Sequence, residues 1–141
     1  MRNIRKITIV EVEYTAFRLA KELMAWNEPI PDFGSRFPNV LESCLAVPFQ
    51  TFNKKPLYKK LTGKASMLFY LMIKNHPFEN GNKRIAVMTL LVFLALNSKW
   101  LKVGHNSLYK IAVYVAGSKP GLKTEILEAL NMFIAEGIGS G

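Results

Sequence analysis

The sequence contains little cysteine, few acidic residues and no long uninterrupted hydrophobic run. Cys44 is the only cysteine among 141 residues, which excludes an intramolecular disulfide and favours a reducing, cytoplasmic location. The longest apolar run, Ile85 to Leu96, spans 12 residues and includes Thr89. A helix needs about 20 residues to cross a bilayer. We therefore expect neither a membrane span nor a membrane partner.

The shortage of acidic residues gives the chain a strongly basic character. There are 19 Lys and Arg against 10 Asp and Glu, a net charge of +9. Between Ser43 and Lys123 the only acid is Glu79. Such a field attracts nucleotides, nucleic acid or an acidic protein partner. On charge alone, a solvated basic surface without a specific partner is an equally good interpretation.

Hydrophobic spacing predicts an all-α protein with minor β structure, namely short extended pieces at residues 7–10 and near Phe52. Half of the residues are apolar, and the length suits one domain, which we place at residues 1–136. Residues 137–141 are rich in Gly and are predicted to be a disordered tail. The predicted helices cover residues 11–26, 39–47, 63–74, 82–97, 106–116 and 124–136. The helices at 63–74 and 82–97 are apolar on nearly every side, so they are expected to pack together at the centre.

One segment between the predicted helices has the composition of an exposed extended structure. It begins after Pro48 and consists of Phe49, Gln50, Thr51, Phe52 and Asn53, followed by several lysines. Alternating aromatic and polar residues that end in Asn are typical of a strand or a hairpin arm. We call residues 49–53 the flap and predict that they protrude from the helical body.

The joint between the two central helices carries an unusual set of side chains. Residues 76–84 read HPFENGNKR, where Pro77 disfavours helix before it and Asn80-Gly81 favours a turn. Lys83 and Arg84 then fall in the first turn of the next helix, where the helix dipole disfavours cations. This misfit is resolved if an anion such as a nucleotide phosphate binds at the helix N-terminus.

Other residues of the same joint have side chains suited to catalysis. His76 has an imidazole that can accept a proton from an attacking hydroxyl near neutral pH. Glu79 and Asn80 carry hard oxygen atoms that can bind Mg²⁺ beside phosphates. Phe78 is expected to anchor the joint in the core. The alternative interpretation is an ordinary polar turn between helices.

The sequence HPFENGNKR resembles the signature loop of the Fic/Doc (Fido) superfamily, in the form found in death-on-curing proteins. The His, Phe, Gly, Asn, Lys and Arg positions match the family pattern. Upstream, residues 40–43, 48–52 and 57–58 resemble the helix and flap that precede this loop in Doc-like proteins. The resemblance covers roughly residues 32–116 and implies a compact Fic-type helical bundle with a small β-hairpin flap.

The resemblance implies an enzyme that transfers part of ATP, or another nucleoside triphosphate, to a hydroxyl of a protein target. His76 would be the base, and Lys83 and Arg84 would act with it in catalysis. Phosphates would be held by Gly81, Asn82, Lys83 and Arg84, through backbone or side-chain donors. Asn80 and Glu79 would hold Mg²⁺, Phe78 would anchor the loop, and the flap would align the target peptide as an added strand.

Two departures from the adenylating members of the family affect the expected reaction. Lys83 stands in place of a second Gly, and Val87 stands in place of a second Arg, as in Doc, which phosphorylates elongation factor Tu. We therefore favour phosphate transfer to a translation factor over AMP transfer. Asn80 occupies the usual acidic position and lacks the charge that holds Mg²⁺. A catalytically weakened protein that binds nucleotide or nucleic acid therefore remains an alternative.

Regulation is expected to come from another protein. Fic proteins are inhibited by a helix with Ser or Thr, three residues, Glu, and then Gly or Asn. The nearest match here runs from Thr124 to Glu128, but Ala129 follows it. We predict that the last helix is structural and that a separate antitoxin silences the protein by binding beside His76.

Overall fold

The structure, a computed structural model, describes residues 3–23 and 29–140. Helix α1 combines three consecutive segments, Ile9–Glu11, Val12–Phe17 with π-type hydrogen bonds, and Arg18–Leu23. The helices that follow are α2 (Pro38–Ala46), α3 (Leu61–Lys74), α4 (Asn82–Leu96), α5 (His105–Ala116) and α6 (Lys123–Gly137). The strands are β1 (Thr51–Phe52), β2 (Lys55–Pro56), β3 (Lys99–Leu101) and β4 (Ile138–Ser140). The expected helical fold class is therefore confirmed.

Helices α3 and α4 form the centre of the molecule, as their all-round hydrophobicity predicts. In α3 every residue from Lys64 to Ile73 is buried, and in α4 the buried residues include all those from Arg84 to Leu90. A helix that is apolar on every side needs neighbours on every side. Helices α5 and α6 and the N-terminal helix supply them, each packing against one or both central helices.

Helix α1 begins with a capping box that fixes its first turn. The Thr8 hydroxyl accepts a hydrogen bond from the Glu11 backbone N–H at 3.2 Å, and the Glu11 carboxylate accepts one from the Thr8 N–H at 3.0 Å. These bonds satisfy two donors at the helix start. The extended segment predicted at 7–10 therefore gives way to a helix at Ile9. The predicted end of this helix, at Trp26, lies outside the described residues.

The C-terminal residues differ from the predicted disordered tail. Strand β4 pairs antiparallel with β3, with Lys99 opposite Ser140 and Leu101 opposite Ile138. A Cβ atom at Gly139 would lie 3.2 Å from the indole of Trp100. The glycines that suggested disorder therefore allow the tail to pack closely against β3. Sequence reasoning missed this pairing because both strands are short and lie far apart in the chain.

The helices of the described residues were compared with the length and hydrophobicity that a membrane span requires. None of them is both long enough and apolar enough to cross a bilayer. The residues Ile85 to Leu96, which form the longest apolar run, lie in the central helix α4.

Candidate functional site

Two residues with left-handed backbone conformation shape the loop between α3 and α4. His76 has φ +50° and Gly81 has φ +75°. The loop also hydrogen-bonds to the segment before α2, because the Phe37 N–H donates to the Pro77 carbonyl at 2.9 Å. Non-glycine residues seldom adopt positive φ, although His, Asn and Asp do so more often than most. The loop therefore reverses the chain while leaving His76 exposed.

Gly81 is required at the start of α4 for two separate reasons. It is the N-cap residue in left-handed conformation, which is strained for any residue with a Cβ atom. A Cβ at this position would also lie 2.8 Å from Ile30 Cγ1. Ile30 belongs to the segment that precedes α2, so the glycine allows that segment to pack directly against the loop.

We expect Gly81→Ala to destabilise the protein by about 1–3 kcal/mol, because it adds backbone strain and a steric clash. Chemical denaturation monitored by circular dichroism measures the change. Gly121→Ala is the matched control, since a Cβ there meets no atom within 4 Å. An equal effect of both substitutions would contradict this explanation of Gly81.

The side chain of Asn82 holds the loop together. Its Oδ1 accepts a hydrogen bond from the Phe78 N–H at 3.0 Å, and its Nδ2 donates to the Phe78 carbonyl at 2.8 Å. These two bonds fix which amide atom is oxygen and which is nitrogen. The side chain predicted to donate to phosphate is therefore occupied within the loop. These contacts do not involve the Asn82 backbone N–H, so the prediction that this group donates to phosphate stays a prediction.

The same amide also contacts the catalytic candidate His76. Asn82 Nδ2 lies 3.4 Å from His76 Nδ1, and because an amide N–H can only donate, Nδ1 is the acceptor. The neutral ring then carries its proton on Nε2. For Nε2 to take a proton from a hydroxyl, the ring must adopt the other tautomer and give up this contact. At 3.4 Å the contact is weak, so this change requires little energy.

Phe78 attaches the loop to the core through a cluster of three aromatic rings. It is 1% exposed, and its ring centroid lies 5.6 Å from that of Phe17 and 5.8 Å from that of Phe33. Phe17 and Phe33 meet edge to face at 5.2 Å. The cluster joins α1, the turn before α2 and the loop. Phe78 thus lies inward, as expected of an anchor.

A cavity of about 430 Å³ opens beside the loop. Its polar lining comes from the loop and the first turn of α4, and its apolar lining comes from α3 and α5. The lining residues are Ile73, His76, Glu79, Asn80, Asn82, Lys83 and Ala116. The structure therefore brings the candidate base, both candidate metal ligands and two candidate phosphate ligands, Asn82 and Lys83, to a single cavity.

Lys74 fixes the wall of the cavity that α5 provides, a role the sequence did not reveal. Its Nζ donates to the Ser118 carbonyl at 2.6 Å and to the Ala116 carbonyl at 3.4 Å. Lysine at the C-terminus of a helix compensates carbonyls that lack a helical partner. The end of α5 is thereby held against the end of α3, next to His76. A lysine in the last turn of α3 was the only sequence signal, and it did not identify α5 as the partner.

Arg84 is buried, unlike the neighbouring Lys83, and contacts the N-terminal helix. It is 3% exposed and is absent from the cavity lining. One guanidinium nitrogen, Nη2, donates to the Ala20 carbonyl of α1 at 3.3 Å. The structure thus links Arg84 to the N-terminal helix, and its predicted binding of phosphate remains a prediction. Lys83 is the cation of this helix turn that reaches the cavity.

The start of α4 has the charge pattern of an anion site. Its first turn contains no acidic residue, and Lys83 adds a positive charge to the positive end of the helix dipole. Glu79 and Asn80 are both exposed and both line the cavity. A carboxylate and an amide oxygen at one cavity suit Mg²⁺, which binds one or two side-chain oxygens together with phosphate oxygens. The residues present therefore fit a magnesium nucleotide.

The predicted flap forms the first arm of a β-hairpin. Strand β1 pairs antiparallel with β2, with Thr51 opposite Pro56 and Phe52 opposite Lys55. Asn53 and Lys54 have φ +52° and +65°, as in the two-residue turns that match the twist of a hairpin. Residues 50–57 are all exposed. Phe49 lies before the hairpin and packs against Phe93, with ring centroids 6.2 Å apart.

Helix α6 places Glu128, the acid of the nearest match to the inhibitory motif, far from the loop. Glu128 lines clefts together with Thr62 and Gly63 at the start of α3, whereas the loop follows the end of α3. Asn75 follows Gly63 by twelve positions along this helix, which is about 18 Å at 1.5 Å per residue. The carboxylate of Glu128 therefore does not approach His76.

Comparison with known proteins agrees with this geometry. The model of the Fic/DOC family matches residues 9–94, more than half of the chain. The chain belongs to the Fic/DOC family. The match extends further toward the N-terminus than the resemblance at residues 32–116, so α1 is part of the Fic/DOC domain. Searches of curated proteins and of solved structures gave no significant match.

Proposed function

We propose that this Fic/DOC protein is a Doc-like toxin that transfers the γ-phosphate of ATP to a hydroxyl of a cytoplasmic protein target. A translation elongation factor is the target class we favour. The observation that carries the proposal is the shared cavity, which is lined by an exposed imidazole and by the positively charged start of a helix. Family membership supports a protein-modifying transferase.

The base, the phosphate ligands and the metal ligands at the cavity have separate chemical tasks in this proposal. His76 removes the proton of the target hydroxyl, whose oxygen then forms a bond to the γ-phosphorus as the bond to the β–γ bridging oxygen breaks and ADP leaves. Lys83 and the first backbone N–H groups of α4 bind phosphate oxygens. Glu79 and Asn80 would hold Mg²⁺, which offsets negative charge on the phosphates.

The position of Lys83 supports phosphate transfer over AMP transfer. Its side chain lines the cavity, so it occupies space that a glycine would leave open for a phosphate. A nucleotide bound in the opposite sense would present its γ-phosphate to His76, which favours the kinase reaction. The rival reaction, AMP transfer, requires the α-phosphate to face His76 instead.

ATP labelled on either the α- or the γ-phosphate separates these reactions. The protein is incubated with a lysate of translation factors and each ATP, and the labelled proteins are resolved by gel electrophoresis. Label from γ-ATP alone supports the kinase, and label from α-ATP alone supports AMP transfer. If neither label is transferred while ATP still binds, the catalytically weakened alternative suggested by Asn80 replaces the proposal.

We expect Lys83→Ala to weaken ATP binding by roughly tenfold, because it removes a charge-assisted hydrogen bond to phosphate. Isothermal titration calorimetry with Mg²⁺-ATP measures the dissociation constant. Lys110→Ala, which removes an exposed lysine of α5, is the control and should bind ATP as the wild type does. Unchanged affinity of Lys83→Ala would contradict the proposed role of Lys83.

A separate antitoxin is the regulator that best suits this structure. Helix α6 packs along α3, and its Glu128 lies at the opposite end of α3 from His76. His76, Glu79 and Asn80, which line the cavity, are all exposed. We therefore propose that an antitoxin helix covers this cavity when the toxin is silent.

A further inference from the structure

The lysines around the hairpin form a concentrated positive surface. Lys54 and Lys55 lie in the hairpin, Lys59 and Lys60 follow it, and all four are exposed. Among residues 3–23 and 29–140, no carboxylate lies within 4.0 Å of these four ammonium groups. We call these four residues the hairpin lysines. Their charge is not compensated by an ion pair in the described part of the chain.

Positive charge also accumulates at the base of the hairpin. Lys64 is only 5% exposed, and its Nζ donates to the Pro48 carbonyl at 3.2 Å. The ammonium groups of Lys64 and Lys6 lie 4.6 Å and 5.3 Å from the centre of the Phe49 ring. Burial and the charge of Lys6 lower the pKa of Lys64. The positive field of the hairpin lysines is thus continued by two further lysines.

The backbone of the hairpin offers one edge to an additional strand. The Leu57 N–H donates to the Gln50 carbonyl at 3.0 Å, whereas the Gln50 N–H donates to the Val47 carbonyl at 3.0 Å. Because the Gln50 carbonyl faces Leu57, the Thr51 N–H on the other side of the same peptide plane faces outward. In an antiparallel ladder the next pair, Thr51 and Pro56, directs its backbone groups outward. Pro56 has no N–H. The edge at Thr51 therefore presents both a donor and an acceptor, whereas the edge at Pro56 presents only an acceptor.

The side chains of the hairpin favour a peptide over single-stranded nucleic acid. Proteins that bind single strands stack successive bases on several open aromatic rings. On this surface Phe52 is open, at 69% exposure, but Phe49 lies between two lysines and packs on Phe93. Tyr58 is half-buried beside α6. One open ring together with a strand edge suits an extended peptide.

We propose that the hairpin lysines select an acidic segment of the protein target, because the strand addition that the resemblance implies for the flap would place carboxylates of that segment near these four side chains. This inference rests on the proposed function and specifies its substrate as an acidic chain segment around the modified hydroxyl. Backbone hydrogen bonds would provide alignment. Charge complementarity would provide selectivity and faster association at low salt.

Three fluorescent peptides of equal length test the charge preference. Each carries one Thr, flanked by Glu, Gln or Lys, and fluorescence anisotropy measures binding to the full-length protein without ATP. We expect the Glu peptide to bind roughly tenfold more tightly than the Gln peptide near 50 mM salt, with the difference shrinking as salt rises. Equal binding of the Glu and Gln peptides, or no binding of any peptide, would overturn the proposal.

Matched variants locate the binding surface. The triple variant Lys54→Gln, Lys55→Gln, Lys59→Gln should lose most of the preference for the Glu peptide. The control variant Lys102→Gln, Lys110→Gln, Lys119→Gln removes the same charge from exposed positions elsewhere and should keep it. Equal losses in both variants would mean that the preference comes from net charge alone, and this would overturn the proposal.

Thr51→Pro tests the strand edge. Gln50 has φ −63° and ψ 148°, which a following proline favours, so the hairpin should persist while the outward N–H is lost. We expect this variant to bind the Glu peptide roughly fivefold more weakly. Unchanged binding would contradict strand addition at Thr51.

Two further outcomes separate this inference from its alternatives. Tighter binding of oligouridylate than of the Glu peptide, with the same dependence on the hairpin lysines, would overturn it in favour of RNA. Because peptide binding is measured without ATP, a clear Glu preference without any phosphate transfer would support the inference and contradict the proposed function. Phosphate transfer without a Glu preference would contradict only the inference.

Discussion

Replacing His76 by alanine is expected to reduce phosphate transfer by about 10²–10⁴-fold, the usual contribution of a positioned general base. The imidazole is exposed at the cavity, and the other described side chains that line this cavity include no second histidine. Glu79 is the only carboxylate among them, and it is assigned to the metal. Initial rates with γ-labelled ATP and a purified target measure the effect.

His76→Asn is the more informative variant, because asparagine tolerates the left-handed backbone that His76 adopts. It should preserve the loop and the ATP affinity while removing the base. His105→Ala, at the first residue of α5, should leave the rate unchanged. If His76→Asn retained the wild-type rate, the proposed role of His76 as base would be wrong.

The position of the loop between the two central helices could be predicted, because the residues that indicate it lie close together in the sequence. Pro77 and Gly81 interrupt two strongly apolar segments, so the position of the loop follows from residues within a few places of each other. The apolar pattern also predicts that these helices are central. In the same way, the composition of the flap predicts an exposed extended segment, and the structure has a hairpin there.

The partners of individual side chains could not be predicted, because they depend on how distant segments meet. Arg84 was assigned to phosphate from its place in the first turn of α4, but in the structure its guanidinium donates to the carbonyl of Ala20, 64 residues away. Strand β4 needs β3 as its partner, and nothing within the tail itself indicates this pairing. A sequence pattern thus identifies the groups that can bind a ligand, while packing decides which of them reach it.

For Asn82 the hydrogen-bond partner could not be predicted either, although it lies only four residues away in the sequence. A side-chain amide at the start of a helix can cap the loop before it or donate to a ligand, and both options suit the same sequence. In the structure both hydrogen bonds to Phe78 are made. The choice depends on the turn at Gly81, which brings the Phe78 backbone within reach of a residue only four places later.

Removing the Phe78 ring is expected to have the largest effect on stability. Phe78→Ala should lower the free energy of unfolding by about 3–5 kcal/mol, because a buried aromatic side chain leaves a cavity that the surroundings fill only in part. Two ring contacts with Phe17 and Phe33 are lost as well. Urea denaturation monitored by circular dichroism measures the change.

Two further variants separate anchoring of the loop from general stability. Phe52→Ala removes a ring that is mostly exposed and should change the free energy of unfolding by less than about 0.5 kcal/mol. Phe78→Leu keeps much of the buried volume, so the protein should remain folded. If Phe78 holds the loop in position, Phe78→Leu should still weaken ATP binding, because Asn82 bonds directly to the Phe78 backbone. A folded Phe78→Leu protein with wild-type ATP affinity would show that the ring stabilises the core without positioning the site.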